Sequence, residues 1–299
     1  LLAALIVRRS SLLVDYVEWA RNTREARRLP MTDLQAILEE LRADVAEIQA
    51  SEVEFALTTL DLAARRVSSV GWSAPAPQEW DHSATASLSR KYLDLLVESR
   101  RGEAINLIMK SLDSGMTLEE LYLDVLQPAM REVGRRWQAN EISVAQEHYV
   151  SAVTQLLVSQ LYPRLLTGPR NGKTLIATCV GSNLHEIGLR FLCDIFELHG
   201  WDTHFYGANT PPDDVIDLAR RRRPDVVAVG VTLGSQLPAA AAFIRAMKRV
   251  PEIAQIPILV GGSAFAGDDR LWREIGADGH AKDALDAVRL ANALTGAVR

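Results

Sequence analysis

Cysteine is scarce: the 299-residue chain has two, Cys179 and Cys193. Both sit in apolar runs. This excludes a disulfide scaffold and predicts core thiols in a reducing, cytoplasmic compartment. Long apolar runs are missing as well. Leu1–Val7 is closed by Arg8-Arg9, too short to span a membrane and without the flanks of a signal peptide. The chain opens without a methionine and is read as a fragment or an ordered remainder. There is no cationic surplus either: 33 Lys and Arg against 38 Asp and Glu leave a formal net charge of −5. That balance lacks the excess of Lys and Arg that neutralises phosphates, so direct DNA binding is not expected. No Gly-x-Gly-x-x-Gly, phosphate-binding loop or nucleophile elbow is found. His199, His204 and His280 show no metal-ligand spacing.

What is present divides into two halves. The first 166 residues read as helices. Leu12, Leu13, Tyr16, Val17 and Ala20 recur at helical spacing, as do Leu34, Ile37, Leu38 and Leu41. Residues 1–70 are expected to form an amphipathic helical domain in which Arg21, Arg24, Arg27 and Arg28 make a solvated face. Gly71–Pro77 is rich in small residues and proline and reads as a linker. A second helical block runs from about Ser87 to Leu166, with helices predicted over Tyr92–Val97, Ala104–Leu112, Leu118–Trp137 and Val144–Leu165. Thr117 with Glu120 is a capping-box signal, and Ser143 with Gln146 repeats it. Residues 167–172 form a second linker.

From Lys173 the pattern changes. Strands are predicted over Thr174–Val180, Thr203–Tyr206, Asp225–Val231 and Ile256–Val260, with a weaker fifth over Asp278–His280. Between and after them, helices are predicted over Ile187–His199, Asp213–Arg222, Ala239–Val250, Asp268–Ile275 and Ala284–Leu294. A β-α alternation of this kind builds a doubly wound parallel sheet. Ligands of such sheets bind outside the carboxyl ends of the strands, at the switch in strand order. The loops after Val180, Val231 and Val260 are therefore the first candidates.

The first of these loops reads Gly181-Ser182-Asn183-Leu184-His185-Glu186-Ile187-Gly188. Neutral imidazole is a common metal ligand and needs a partner on its other nitrogen. The Asn183 amide oxygen, two residues earlier, has the reach for that role. Gly188 would let a planar ligand approach the backbone. The second loop contributes Thr232, Leu233 and Gly234, and the third Gly261, Gly262 and Ser263. Taken singly, His185 is equally well a polar loop residue and Gly-Gly is ordinary turn chemistry; it is the ordered set that stands out. The basic run Arg220–Arg223 reads as a solvated helix end.

These motifs resemble the cobalamin-binding domain family, whose signature is Asp-x-His-x-x-Gly, Ser-x-Leu and Gly-Gly. The resemblance covers about residues 171–299. It implies that His185 ligates cobalt from below and that the Thr232 and Gly261-Gly262 loops line the tunnel for the cofactor's tail. Asn183 stands where the family has Asp, and Gly234 where it has Leu. An amide raises imidazole basicity less than a carboxylate does, which argues against a methyl-transfer cycle. In the helical block, Trp137 is followed after nine residues by Glu147-His148. By itself this reads as a core Trp beside a surface Glu-His pair, but the pattern resembles that of cobalamin-dependent photoreceptors, over about residues 85–299. The resemblance implies a four-helix cap in which Trp137 packs on the adenosyl group and Glu147 and His148 close the pocket. Some members carry His directly after the Trp. Gln138 stands there instead, leaving His148 as a candidate ligand after photolysis. The family's winged helix-turn-helix is not evident. That absence brings in the photocobilin subgroup, which adds a bilin such as biliverdin; Tyr16, Trp19, Trp72, Trp80 and His82 are its candidate stacking residues.

The expected architecture is α/β, with an N-terminal helical domain and a four-helix cap followed by a doubly wound, Rossmann-like or flavodoxin-like sheet domain. The expected division is 1–78 for output, dimerisation or a second chromophore, 79–168 for the cap and 169–299 for cobalamin binding. The implied cofactor is cobalamin, as adenosylcobalamin in the dark state. Its site would comprise Trp137, Glu147, His148, Ser182, Asn183, His185, Glu186, Ile187, Gly188, Thr232, Leu233, Gly234, Gly261, Gly262 and Ser263. The expected function is a non-enzymatic light sensor acting as a homodimer, through an effector protein or a fused output domain. The alternatives are a corrinoid carrier of a methyltransferase system and a non-photoactive cobalamin sensor.

Overall fold

The computed structural model describes residues 1–69, 80–166, 168–266, 268 and 270–296, so the whole Gly71–Pro77 linker, Trp72 included, lies outside the described residues. The chain forms two compact units, residues 3–160 and 161–299. No helix among the described residues is long and apolar enough to cross a membrane.

The helical unit opens with α1 (Leu2–Ile6), α2 (Ser11–Ala26), α3 (Thr32–Ala46) and α4 (Val53–Ser68). Leu13, Val17, Leu38, Val45, Leu60 and Val67 close a core of their own among these helices. The expected stripe on α3 is split: Leu38 is buried while Ile37 and Leu41 face solvent. The arginines of α2 and of the two residues that follow it depart from a solvated face, and only Arg28 fits it fully. Arg21 is buried and donates to the carbonyls of Arg66 and Ser69 at 3.2 and 2.7 Å. Arg24 pairs with Asp33 at 2.7 Å, and Arg27 reaches across to the second helical block. Unsatisfied carbonyls at helix ends attract guanidinium donors, an effect that charge patterning along one helix does not reveal.

That block comprises α5 (Ala84–Val97), α6 (Arg101–Asp113), α7 (Leu118–Glu120), α8 (Gln127–Gln138) and α9 (Val144–Leu165). Both predicted caps form. Thr117 and Ser143 accept from the backbone N–H of Glu120 and Gln146, whose side chains return the bond. The helix expected over Leu118–Trp137 is wound as a π-helix over Leu121–Leu126, just ahead of Pro128. Proline has no N–H for the preceding turn, which loosens the ladder there. The bundle is pinned by polar contacts between helices. The Tyr92 hydroxyl meets Thr154 Oγ1 at 3.0 Å, Ser89 Oγ donates to the Val125 carbonyl at 2.7 Å, and Arg136 pairs with Asp94 at 2.9 Å. Buried Glu132 holds both Arg135 and Arg136.

The second unit contains the sheet: β1 (Thr174–Cys179), α10 (Ile187–Leu198), β2 (Asp202–Gly207), α11 (Pro212–Arg222), β3 (Val226–Gly230), α12 (Leu237–Lys248), β4 (Ile258–Gly261), α13 (Leu271–Glu274), β5 (Gly279–His280) and α14 (Ala284–Gly296). All pairings are parallel, in the order β2-β1-β3-β4-β5. The expected architecture of helices followed by a doubly wound sheet is the one observed, and the order reverses between β1 and β3. Val226 to Val229 are buried throughout, as a sheet covered on both faces requires. Among these helices, α12 and α13 depart from expectation for a local reason. Pro238 starts α12 two residues early at Leu237. The helix expected over Asp268–Ile275 shrinks to Leu271–Glu274, because Asp268 Oδ1 accepts from the Arg270 N–H and holds a turn there.

Candidate functional site

The first loop leaves β1 at the switch point. Asn183 is fully buried within it. Its Nδ2 donates to the carbonyl of Gly230, the last residue of β3, at 2.9 Å. A carbonyl only accepts, so the amide is oriented with Oδ1 towards His185. That oxygen accepts from the His185 N–H at 3.0 Å and lies 3.3 Å from Nδ1. In the neutral imidazole this contact places the proton on Nδ1 and leaves the Nε2 lone pair to bind a metal. Glu186 Oε2 accepts from the Ala208 N–H at 2.8 Å, tying the loop to the end of β2. Ser182 and Gly188 are exposed, Ile187 begins α10, and the position a Gly188 Cβ would take is open space.

The second and third loops are laced together. Gln236 Oε1 accepts from the N–H groups of Thr232 and Leu233, both at 3.0 Å. Ser263 Oγ donates to the Thr232 carbonyl at 2.7 Å. Gly262 has φ +113° and lies so close to the second loop that a Cβ would sit 2.2 Å from the Val231 oxygen. No other residue meets both demands. Gly261 accepts from the Val231 N–H at 2.9 Å, and Gly234 opens a short 3-10 turn. Gln236 and Asn209, whose N–H donates to the Asn183 carbonyl, escape motif reading, because both act through local loop geometry.

Two apolar side chains stand out on these loops: Leu184 is 73% exposed and Leu233 41%. On the sheet itself, the buried hydroxyl of Thr178 has no partner. Beside the first loop, burial pushes the Cys179 thiol up to about 12, so it is held as a neutral core group. Cys193 is likewise buried and its thiol raised. Among the described residues no three His, Cys, Asp or Glu side chains lie together as a metal site. A lone imidazole suits a metal whose remaining ligands come from a macrocycle. Apolar side chains at the mouth and an unpartnered inner hydroxyl suit a large amphipathic ligand. The residues present fit a corrinoid.

The helical candidates lie in the other unit. Glu147 Oε2 is 2.6 Å from His148 Nδ1, Glu147 Oε1 accepts from Ser151, and the His148 side chain is 74% exposed. Trp137 packs instead against α2, with its ring 6.2 Å from that of Trp19 and the Arg27 guanidinium 4.8 Å above it. Among the described hydrogen bonds and ring contacts, none joins Trp137 to Glu147 or His148. Of the aromatic residues considered for a bilin, Tyr16 lies 6.0 Å from Trp19 and Trp80 lies under Arg90.

Residues 173–289 match the family model described as B12 binding domain, and residues 88–162 match a second model of the same description. Each match is a segment of similarity to a B12 binding domain. They support a cobalamin or corrinoid cofactor. The HTH-type transcriptional repressor CarA of Myxococcus xanthus is 28% identical over 166 residues, 56% of this chain and 55% of that protein. The chain thus spans about half the length of that relative. The dimethylamine corrinoid protein of Methanosarcina barkeri is 22% identical over 69% of this chain and 97% of its own length. The monomethylamine corrinoid protein of Methanosarcina barkeri shares the fold, with a TM-score of 0.60 at 20% identity over 70% of this chain and 98% of its own.

Proposed function

We propose that the chain is a cytoplasmic, non-enzymatic light sensor that binds adenosylcobalamin. The observation that carries this reading is the amide-locked His185 at the switch point, on the same chain as the Trp137, Glu147, His148 pattern. His185 Nε2 would hold the cobalt of the bound cofactor. Asn183 fixes its tautomer and Glu186 its loop. Ser182, Ile187 and Gly188 flank it. Thr232, Leu233, Gly234, Gly261, Gly262 and Ser263 line the path of the cofactor's tail. When bound, an alkylcobalamin supplies a cobalt–carbon bond that visible light breaks. Residues 79–168 would form the cap, in which Trp137 would meet the upper-face group and Glu147 with His148 would close the pocket. Residues 1–78 carry the output, and the exposed Ile37 and Leu41 of α3 supply apolar surface for a two-fold dimer or an effector. Such a switch needs the two arrangements of the chain to hold the upper-face group unequally.

A second reading, a corrinoid carrier, is favoured by the match to nearly the whole dimethylamine corrinoid protein. Asn183 in place of a carboxylate weighs against it. The experiment loads the protein with adenosylcobalamin in the dark and records absorption, mass by light scattering and shape by small-angle scattering, before and after green light. A light-driven spectral change with altered mass or shape is expected. An unchanged spectrum assigns a non-photoactive cobalamin sensor. Equal affinity for the adenosyl, methyl and hydroxo forms, with constant mass and shape, assigns the carrier. A long-wavelength red band would reveal biliverdin or another bilin, and tight, salt-resistant binding to one DNA sequence would overturn an output made through protein contacts.

A further inference from the structure

Trp137 is clamped from behind. The Arg27 guanidinium stacks over its indole and donates to the carbonyls of Trp137 and Gln138, at 2.7 and 3.2 Å. Those carbonyls end α8, where intrahelical donors have run out and the helix dipole is negative, so a planar cation is well matched to them. Trp19 flanks the indole, and Tyr16 flanks Trp19. Asn140 Nδ2 donates back to the Ala26 carbonyl at 3.3 Å, so the two helix ends hold each other in both directions. The α2 side of the clamp is itself anchored, through Arg21, to the end of α4. One face of the Trp137 indole is thus covered by a cation of the N-terminal helices, and any tilt of the ring works directly against α2.

We propose that Trp19 and Arg27 are positioning residues for Trp137, setting which upper-face group the cap accepts and making α2 the element that registers it. This rests on the reading that Trp137 packs on that group. A seam that merely packs two sets of helices would treat all cobalamin forms alike.

The test uses the full chain with adenosylcobalamin and hydroxocobalamin. Arg27→Ala and Trp19→Ala are expected to lower the ratio of adenosyl to hydroxo affinity by about fivefold, approaching Trp137→Ala, with hydroxocobalamin affinity unchanged. Arg27→Lys keeps the charge but not the paired bonds and recovers only part of the ratio. In the unsubstituted protein, amide exchange in α2 is expected to be slower with adenosylcobalamin than with hydroxocobalamin, a readout that stands even where a variant folds poorly. If Trp137→Ala lowers the ratio while Arg27→Ala and Trp19→Ala keep it, and α2 exchanges equally with both forms, the clamp is only packing and the proposal is overturned. If Trp137→Ala itself leaves the ratio unchanged, the failure lies with the upper-face reading, and the clamp has nothing to position.

Discussion

His185 and Trp137 are anchored in different ways. Around His185 and on the second loop most of the side-chain contacts run to backbone: Asn183 to the Gly230 carbonyl, Glu186 to the Ala208 N–H, Gln236 to two N–H groups of its own loop. The strands set those backbone positions, so the parallel sheet itself aims the loops. Around Trp137 the anchors are side chains of another helix, Trp19 and Arg27, joined across 110 residues of sequence. A sheet places its ligand loops through topology, whereas a helical bundle places a residue only through the particular side chains facing it. The first arrangement suits the role proposed for His185, a fixed ligand, and the second the role proposed for Trp137, a part that moves.

The comparison can be broken most directly at His185, the proposed metal ligand. His185→Ala is expected to weaken hydroxocobalamin binding by at least about a hundredfold and to leave a spectrum without histidine ligation. An unchanged spectrum and affinity would move the ligand elsewhere. Next in size is Gly262→Ala, where a Cβ would collide with the Val231 carbonyl at a positive φ. A loss of about 3 kcal/mol is expected in urea unfolding, confined to the transition of the sheet unit. An equal shift in the helical unit would show that the two are not independent.

The same contrast explains how much was legible in the sequence. β-branched runs and their spacing reveal a parallel sheet, and the switch-point rule then selects three loops before any motif is weighed. Asn183 and His185 could be paired because they are two residues apart. Helical periodicity shows which face of a helix is apolar but not which helix will meet it, so Arg27 read as solvated and its stacking on Trp137 was invisible. The split on α3, with Leu38 inside and Ile37 outside, has the same origin. Gln236 went unread because its position three after Leu233 lacks the Ser or Thr that marks a capping box. The π-helical turn ahead of Pro128 is a response to one missing N–H, which propensity over a window smooths away.

The smallest expected effect sharpens the helical side of the comparison, where a buried hydroxyl is one of the links between two helices. Tyr92 is fully buried on α5 and its phenol meets Thr154 Oγ1 of α9 at 3.0 Å. At neutral pH Tyr92→Phe removes that bond, leaves the Thr154 hydroxyl buried without it, and is expected to cost about 1 kcal/mol. Burial pushes the phenol from 10.0 up to about 12. Above pH 10 the unfolded chain releases this proton while the folded chain keeps it. The unfolded state then binds fewer protons, and native stability falls by about 1.4 kcal/mol per pH unit until the folded phenol also ionises. Phenylalanine has no such proton, so the variant escapes that loss. The deficit of Tyr92→Phe in urea unfolding should therefore shrink from pH 10 and reverse near pH 11, other tyrosines cancelling in the difference. A deficit that stays constant between pH 8 and pH 11 would show that the phenol ionises alike in both states, and that the contact between α5 and α9 is not sealed from water.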